Sequence, residues 1–124
     1  HYIYLIGCGN SHTAIVIDPV RDAMQAIAAA AAANVRITHV TETHIHADFV
    51  SGTRELVSRT GAKMLLSGEG VPEWRYAFAA TDDAQMLRHG DMIDVGRVRV
   101  TVMHTPGHTP EHLSFLIKDL ASSE

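Results

Sequence analysis

The chain has 124 residues, 46% of them hydrophobic and 19% charged, the balance of one compact globular domain and not of a disordered or fibrous protein. A formal net charge of −4, with ten Lys and Arg scattered singly, supplies no basic face for nucleic acid or an anionic membrane, so neither is expected as a partner. The lone Cys8 excludes an intrachain disulfide framework, and no charged leader or long apolar run is present, which makes a cytoplasmic setting the expectation.

In chain order, Tyr2 to Ile6 and Thr13 to Ile17 are β-prone runs around the glycine-rich Gly7-Cys8-Gly9-Asn10-Ser11, a pattern that predicts an antiparallel hairpin. Asp18-Pro19 ends the second run. Asp22 can cap a helix through the alanine stretch to Ala33, with Asn34 closing it in the left-handed region. Arg36 to Val40 predicts a strand that empties into the polar run Thr41 to Asp48, which has neither helical nor strand periodicity. Helical spacing returns from Ser51 to Arg59, Gly61 stops it, and Lys63 to Leu66 reads as a strand. The segment Glu73 to Gln85, with Trp74, Tyr76 and Phe78, fits a weak helix or an aromatic-bearing loop. Met92 to Val95 and Val98 to Met103 form a second hairpin around Gly96-Arg97. A second polar loop, His104 to His112, follows, and Leu113 to Ile117 leaves it as a strand. Hairpins with helices between them predict a layered α/β domain whose two His-rich loops leave strand ends along one edge.

Histidine is the compositional outlier, nine in 124 residues. Imidazole is the commonest metal ligand and titrates nearest neutral pH, so the excess points to metal or acid–base chemistry. His44 and His46 stand two residues apart, so in extended backbone both project to one side and can grip one ion, with Asp48 adding an oxygen ligand. A catalytic metal keeps about three protein ligands and an open position, and His108 from the second loop completes such a set. Nitrogen and carboxylate donors suit zinc, iron or manganese. A lone histidine is more often solvated or internally hydrogen-bonded, and His1, His12, His39 and His89 are read that way. A hairpin-turn cysteine without a basic neighbour reads as structural, so Cys8 is too.

The run Thr43-His44-Ile45-His46-Ala47-Asp48-Phe49-Val50-Ser51-Gly52 resembles the His-x-His-x-Asp-His signature of the metallo-β-lactamase superfamily. Thr105-Pro106-Gly107-His108-Thr109 resembles that superfamily's next metal loop. With the opening strands and Ile17-Asp18-Pro19, the likeness covers nearly the whole chain. It implies an α/β metallo-β-lactamase fold, an αββα sandwich, with residues 1–124 forming a partial domain of its N-terminal half to two thirds.

Glu42-Thr43-His44-Ile45-His46-Ala47-Asp48 and His104-Thr105-Pro106-Gly107-His108-Thr109-Pro110-Glu111-His112 are similar to phrases of the persulfide dioxygenase branch, which includes bacterial members fused to a rhodanese domain. That resemblance implies one Fe(II) per site, held by His44, His108 and an aspartate in a Thr-Gly-Asp segment that does not occur before Glu124. Phe49 stands where many superfamily members place a histidine ligand for a second metal, and Phe cannot ligate. His46 and Asp48 would then orient ligands and water by hydrogen bonds. The implied reaction oxidises a small-molecule persulfide with O2 to sulfite and a thiol, with Trp74, Arg75 and Tyr76 as candidate substrate contacts and any rhodanese partner domain outside this chain. The alternatives are a zinc-dependent hydrolase of a thioester or lactone, like glyoxalase II, and an incomplete fragment that binds metal weakly. The carrier thiol and any oligomer are left open.

Overall fold

The opening hairpin follows directly from its residue pattern. β1 (Tyr4–Cys8) and β2 (Thr13–Ile17) pair antiparallel, with Tyr4 opposite Ile17 and Cys8 opposite Thr13. Gly7 and Cys8, expected in the turn, belong to the strand instead. The reversal is made later, by His12 in left-handed backbone (φ 57), whose N–H donates to the Cys8 carbonyl at 2.9 Å. The computed structural model describes residues 3–19, 23–43, 52–69, 84–107 and 111–120.

α1 (Ala23–Ala32) buries Ala23, Ala26 and Ala30, one small-faced stripe at helical spacing that lies close on the sheet. Asn34, at φ 57, ends it as the sequence predicts. The Val35 N–H reaches the Ala30 carbonyl at 3.0 Å and the Asn34 N–H reaches Ala31 at 3.1 Å, the paired bonds of a Schellman cap. β3 (Arg36–Thr41) then lies parallel to β2. α2 (Gly52–Thr60) buries Leu56 fully and stops at Gly61 (φ 72). β4 (Lys63–Ser67) joins β3 in parallel, and β5 (Gln85–Leu87) joins β4. β5 is absent from the sequence expectation, which assigned Gln85 to the end of an aromatic segment. The first sheet thus runs β1-β2-β3-β4-β5.

The second sheet is an antiparallel meander, β6 (Met92–Val95), β7 (Val98–His104) and β8 (Leu113–Asp119). Its inner residues Ile93, Val95, Val100, Val102 and Leu113 pack on Ile15, Ile17, Leu65 and Leu87 of the first sheet. Val16, Val40 and Ile37 pack with the α1 alanines and Leu56. The described residues therefore build three layers, helices on sheet on sheet. Burying an aliphatic side chain such as Leu56 contributes ~1.5–3 kcal/mol. These two cores fix where the strand ends lie, and with them the polar loops.

Candidate functional site

The first His-rich loop leaves β3, and side chains on both sides of it hold its ends. Asp18, just past β2, takes left-handed backbone (φ 56), a region that a short polar residue tolerates. Its carboxylate accepts the Thr43 N–H at 2.8 Å and the Thr43 hydroxyl at 2.7 Å, while its own N–H donates to the Thr41 carbonyl at 2.9 Å. Glu42 is 3% exposed and accepts the Thr53 hydroxyl, from the first turn of α2, at 3.0 Å. One carboxylate fixes the residue before His44, and the other ties the strand end to the helix that follows the loop. A buried carboxylate is costly unless it is hydrogen-bonded, so these contacts are structural necessities as well as supports.

The second loop is pinched at its base. The Thr105 N–H donates to the His112 carbonyl at 3.0 Å, and the Thr105 hydroxyl lies 3.2 Å from His112 Nδ1 and 2.8 Å from Ser114 Oγ. Glu111, at the loop's far end, is 4% exposed. On the other side His104 donates its N–H to His89 Nδ1 at 3.0 Å, which makes that nitrogen the unprotonated one.

A backbone bond joins the two roots: the Leu113 N–H donates to the Thr43 carbonyl at 2.6 Å. Thr43 precedes His44, and Leu113 begins the strand that closes the His108 loop, so both loops depart from one point on the seam between the sheets. The expectation of a common edge is met at the loop roots. His44, His46, Asp48 and His108 themselves lie outside the described residues, as do Trp74, Arg75 and Tyr76. Among the described residues no three ligating side chains gather at one point. Imidazole and carboxylate donors on two loops with adjoining roots fit a divalent metal. Thr41 is fully buried at the end of β3, and its hydroxyl finds no partner among the described residues.

Of the histidines read as ordinary, His12 is exposed and its Nδ1 lies 3.2 Å from the Asn34 carbonyl. His39 is half-buried with Nδ1 2.8 Å from the Thr38 hydroxyl, and burial, then the nearby Lys63, pushes its pKa down. Sequence reasoning did not single out Thr53, and it quoted Asp18, Glu42 and Glu111 only within a strand end and the motif phrases, with no role for their carboxylates. Acidic residues directly beside a histidine loop were the available signal. It also read Cys8 from its chain neighbours alone. In the fold Arg97 arrives from the second hairpin and its N–H donates to Sγ at 3.3 Å. The Ser11 hydroxyl, then the N–H groups of Arg97, Ser11 and Asn10, hold the thiol pKa down to about 6, against the upward push of burial. Gly96 (φ 59) packs on this turn, where a Cβ would meet Ser11 Oγ and come within 2.7 Å of Cys8 Sγ.

Helices on a two-sheet sandwich, with histidine loops rooted together on the seam, define a metalloenzyme scaffold of known type. The chain belongs to the metallo-beta-lactamase superfamily, whose profile matches residues 1–120, and it has the metallo-β-lactamase fold. It is 31% identical to a hydroxyacylglutathione hydrolase of Rhodospirillum rubrum over 115 residues, covering 93% of this chain and 42% of that protein. Among solved structures it resembles a metallo-beta-lactamase from Staphylococcus aureus subsp. aureus COL (41% identity, TM-score 0.87, 98% of this chain and 36% of that one). It also resembles ETHE1 from Myxococcus xanthus (34% identity, TM-score 0.77, 94% and 48%). The chain thus spans less than half the length of these relatives. No helix among the described residues is long and apolar enough to cross a membrane.

Proposed function

We propose that this chain carries the ligand loops of a single-metal enzyme that oxidises a low-molecular-weight persulfide with O2. The sequence feature that carries the reading is Phe49, which lies outside the described residues and stands where many members of the superfamily have a histidine for a second metal. The likeness to ETHE1, at 34% identity, supports the same branch. His44 and His108 are the proposed ligands, with His46 and Asp48 beside them and a further carboxylate from outside residues 1–124. One Fe(II), bound there with open coordination positions, would supply the oxygen chemistry. The balanced reaction is RSSH + O2 + H2O giving RSH and sulfurous acid, which ionises to sulfite.

This chain's own residues do the positioning. Asp18 holds Thr43 and therefore the backbone entering His44, Glu42 and Thr53 hold the loop's two ends together, and Thr105 with His112 closes the loop of His108. Such supports keep ligands preorganised, so that little reorganisation is needed when substrate arrives.

A second reading, hydrolysis of a glutathione thioester with zinc, is favoured by the relatives found by sequence, which repeatedly carry the name hydroxyacylglutathione hydrolase. By those names the hydrolase is the better supported of the two, and Phe49 is the residue that sets them apart. The deciding experiment is metal analysis of the full-length protein, with O2 uptake on glutathione persulfide and cleavage of an acyl-glutathione thioester assayed side by side. Stoichiometric iron with O2 uptake and sulfite release is expected. Zinc with thioester cleavage and no O2 uptake overturns the dioxygenase in favour of the hydrolase.

A further inference from the structure

Just past β4, the Glu69 carboxylate touches residues from both sheets. Its Oε2 lies 3.3 Å from Nδ1 of His104, the last residue of β7. Its Oε1 accepts a hydrogen bond at 3.1 Å from Nη1 of Arg88, the residue after β5. The cluster is built into the strand ends. The Glu69 N–H donates to Ser67 Oγ at 3.2 Å, and the Gly68 N–H donates to the Leu87 carbonyl at 2.7 Å. A Cβ on Gly68 would sit 3.0 Å from Arg88 Nε and 3.1 Å from the Leu87 carbonyl oxygen, so glycine there lets the arginine lie against the backbone. Arg88 is steadied in turn by its N–H, which donates to Asp91 Oδ2 at 2.9 Å.

We propose that Glu69 is a positioning residue for loop 105–112: through the His104 ring it sets the direction in which the chain leaves β7 toward His108. This rests on the reading of that loop as a metal loop. The loop has two roots. Leu113 is fixed by the Thr43 carbonyl, and His104 is fixed from the opposite side by Glu69 on its ring and His89 on its N–H. The ring contact bridges the two sheets just before the chain turns toward the proposed ligand. Arg88 is largely exposed, and ion pairs in such settings add little to overall stability. The effect of Glu69 is therefore local, on the geometry of the loop.

The test uses the full-length protein, with Co(II) as a spectroscopic probe, and compares wild type, Glu69→Ala and Glu69→Gln. Partners behind a metal ligand typically matter about 10–100-fold in affinity, and one acting through the chain belongs at the low end. Glu69→Ala is expected to weaken Co(II) binding about tenfold and to shift its visible absorption. Glu69→Gln, which can still hydrogen-bond Arg88 and His104, is expected to restore most of both. The thermal midpoint of the metal-free protein should stay put while Thr105 amide exchange quickens. Unchanged affinity, spectrum and exchange in Glu69→Ala overturn the proposal, as does a lowered midpoint with an unmoved spectrum. A wild type that takes up no Co(II) overturns the metal reading instead. Thr105 exchange then decides the clamp alone: faster exchange supports it and unchanged exchange overturns it.

Discussion

The Leu113 amide donates to the Thr43 carbonyl at 2.6 Å, and through this bond two loops far apart in sequence share one origin. The support behind it is the Asp18 carboxylate, which accepts both the N–H and the hydroxyl of Thr43.

Asp18→Asn tests that support without disturbing the backbone, because asparagine also tolerates left-handed φ. One acceptor oxygen becomes an NH2 donor that faces donors. We expect a loss of ~1–3 kcal/mol in stability, read by chemical denaturation, and metal binding weaker by about tenfold or more, read by competition with a chromophoric chelator. Unchanged affinity would mean that the loop is seated by other contacts.

Phe49→His places an imidazole where the superfamily signature has one. If Phe49 is what limits the site to one metal, the variant's metal content should rise from about one per chain toward two, the arrangement of binuclear hydrolytic sites. Elemental analysis reads this directly, and a stoichiometry that stays at one would remove Phe49 from the argument.

Thr41→Val removes a buried hydroxyl that has no partner among the described residues and keeps the side chain's shape. A buried polar group without a hydrogen bond costs about 1–3 kcal/mol. The variant should therefore be as stable as the parent or more so, by up to that amount, in urea denaturation. A clear destabilisation would show that the hydroxyl is bonded, to a water or to the loop above it.

Both hairpins, both helices and the helices' C-terminal ends were legible in the sequence because each is written in neighbouring residues, although the first turn falls later than expected and Asp22, the expected cap of α1, lies outside the described residues. Alternation makes the strands, the alanine stripe makes α1, and Asn34 and Gly61 take the left-handed conformations that close helices. β5 was not legible, since three residues carry too little periodicity and its pairing with β4 is what makes it a strand. The candidate ligands were legible as residue types at characteristic spacings. Their supports were less so: that Glu42 is buried, that Glu69 reaches His104, or that Asp18 reaches Thr43 depends on partners brought close only by the packing of distant strands. Cys8 shows the same limit, with Arg97 a neighbour in space and a stranger in sequence.

The Cys8 thiol gives a pH signature. Its pKa in the fold is about 6 against an ordinary 9.0, so the folded state favours the thiolate. The resulting stability is complete above about pH 9 and is lost as pH falls through about 6. Denaturation midpoints should rise across that window in the parent protein and flatten in Cys8→Ser. Thiolate absorbance in the ultraviolet should titrate near pH 6 and move upward in Ser11→Ala, which deletes the largest cause of the shift. Titration near the ordinary value in the folded parent would show that the thiol is not held in this way.

The two sheets also differ in how they are wired. The second is a meander of hairpins, all local contacts, whereas the parallel strands of the first must wait for α1 and α2 to carry the chain back. Local pairings close quickly and long-range ones slowly. On that basis the meander that carries the His108 loop is expected to pair before the parallel strands that carry the His44 loop, and the Leu113–Thr43 bond between them needs both sheets in place. An ion bound across that junction would act as a latch on the docking step, so chelation should loosen the seam between the sheets while leaving each sheet's own hydrogen-bond ladder intact.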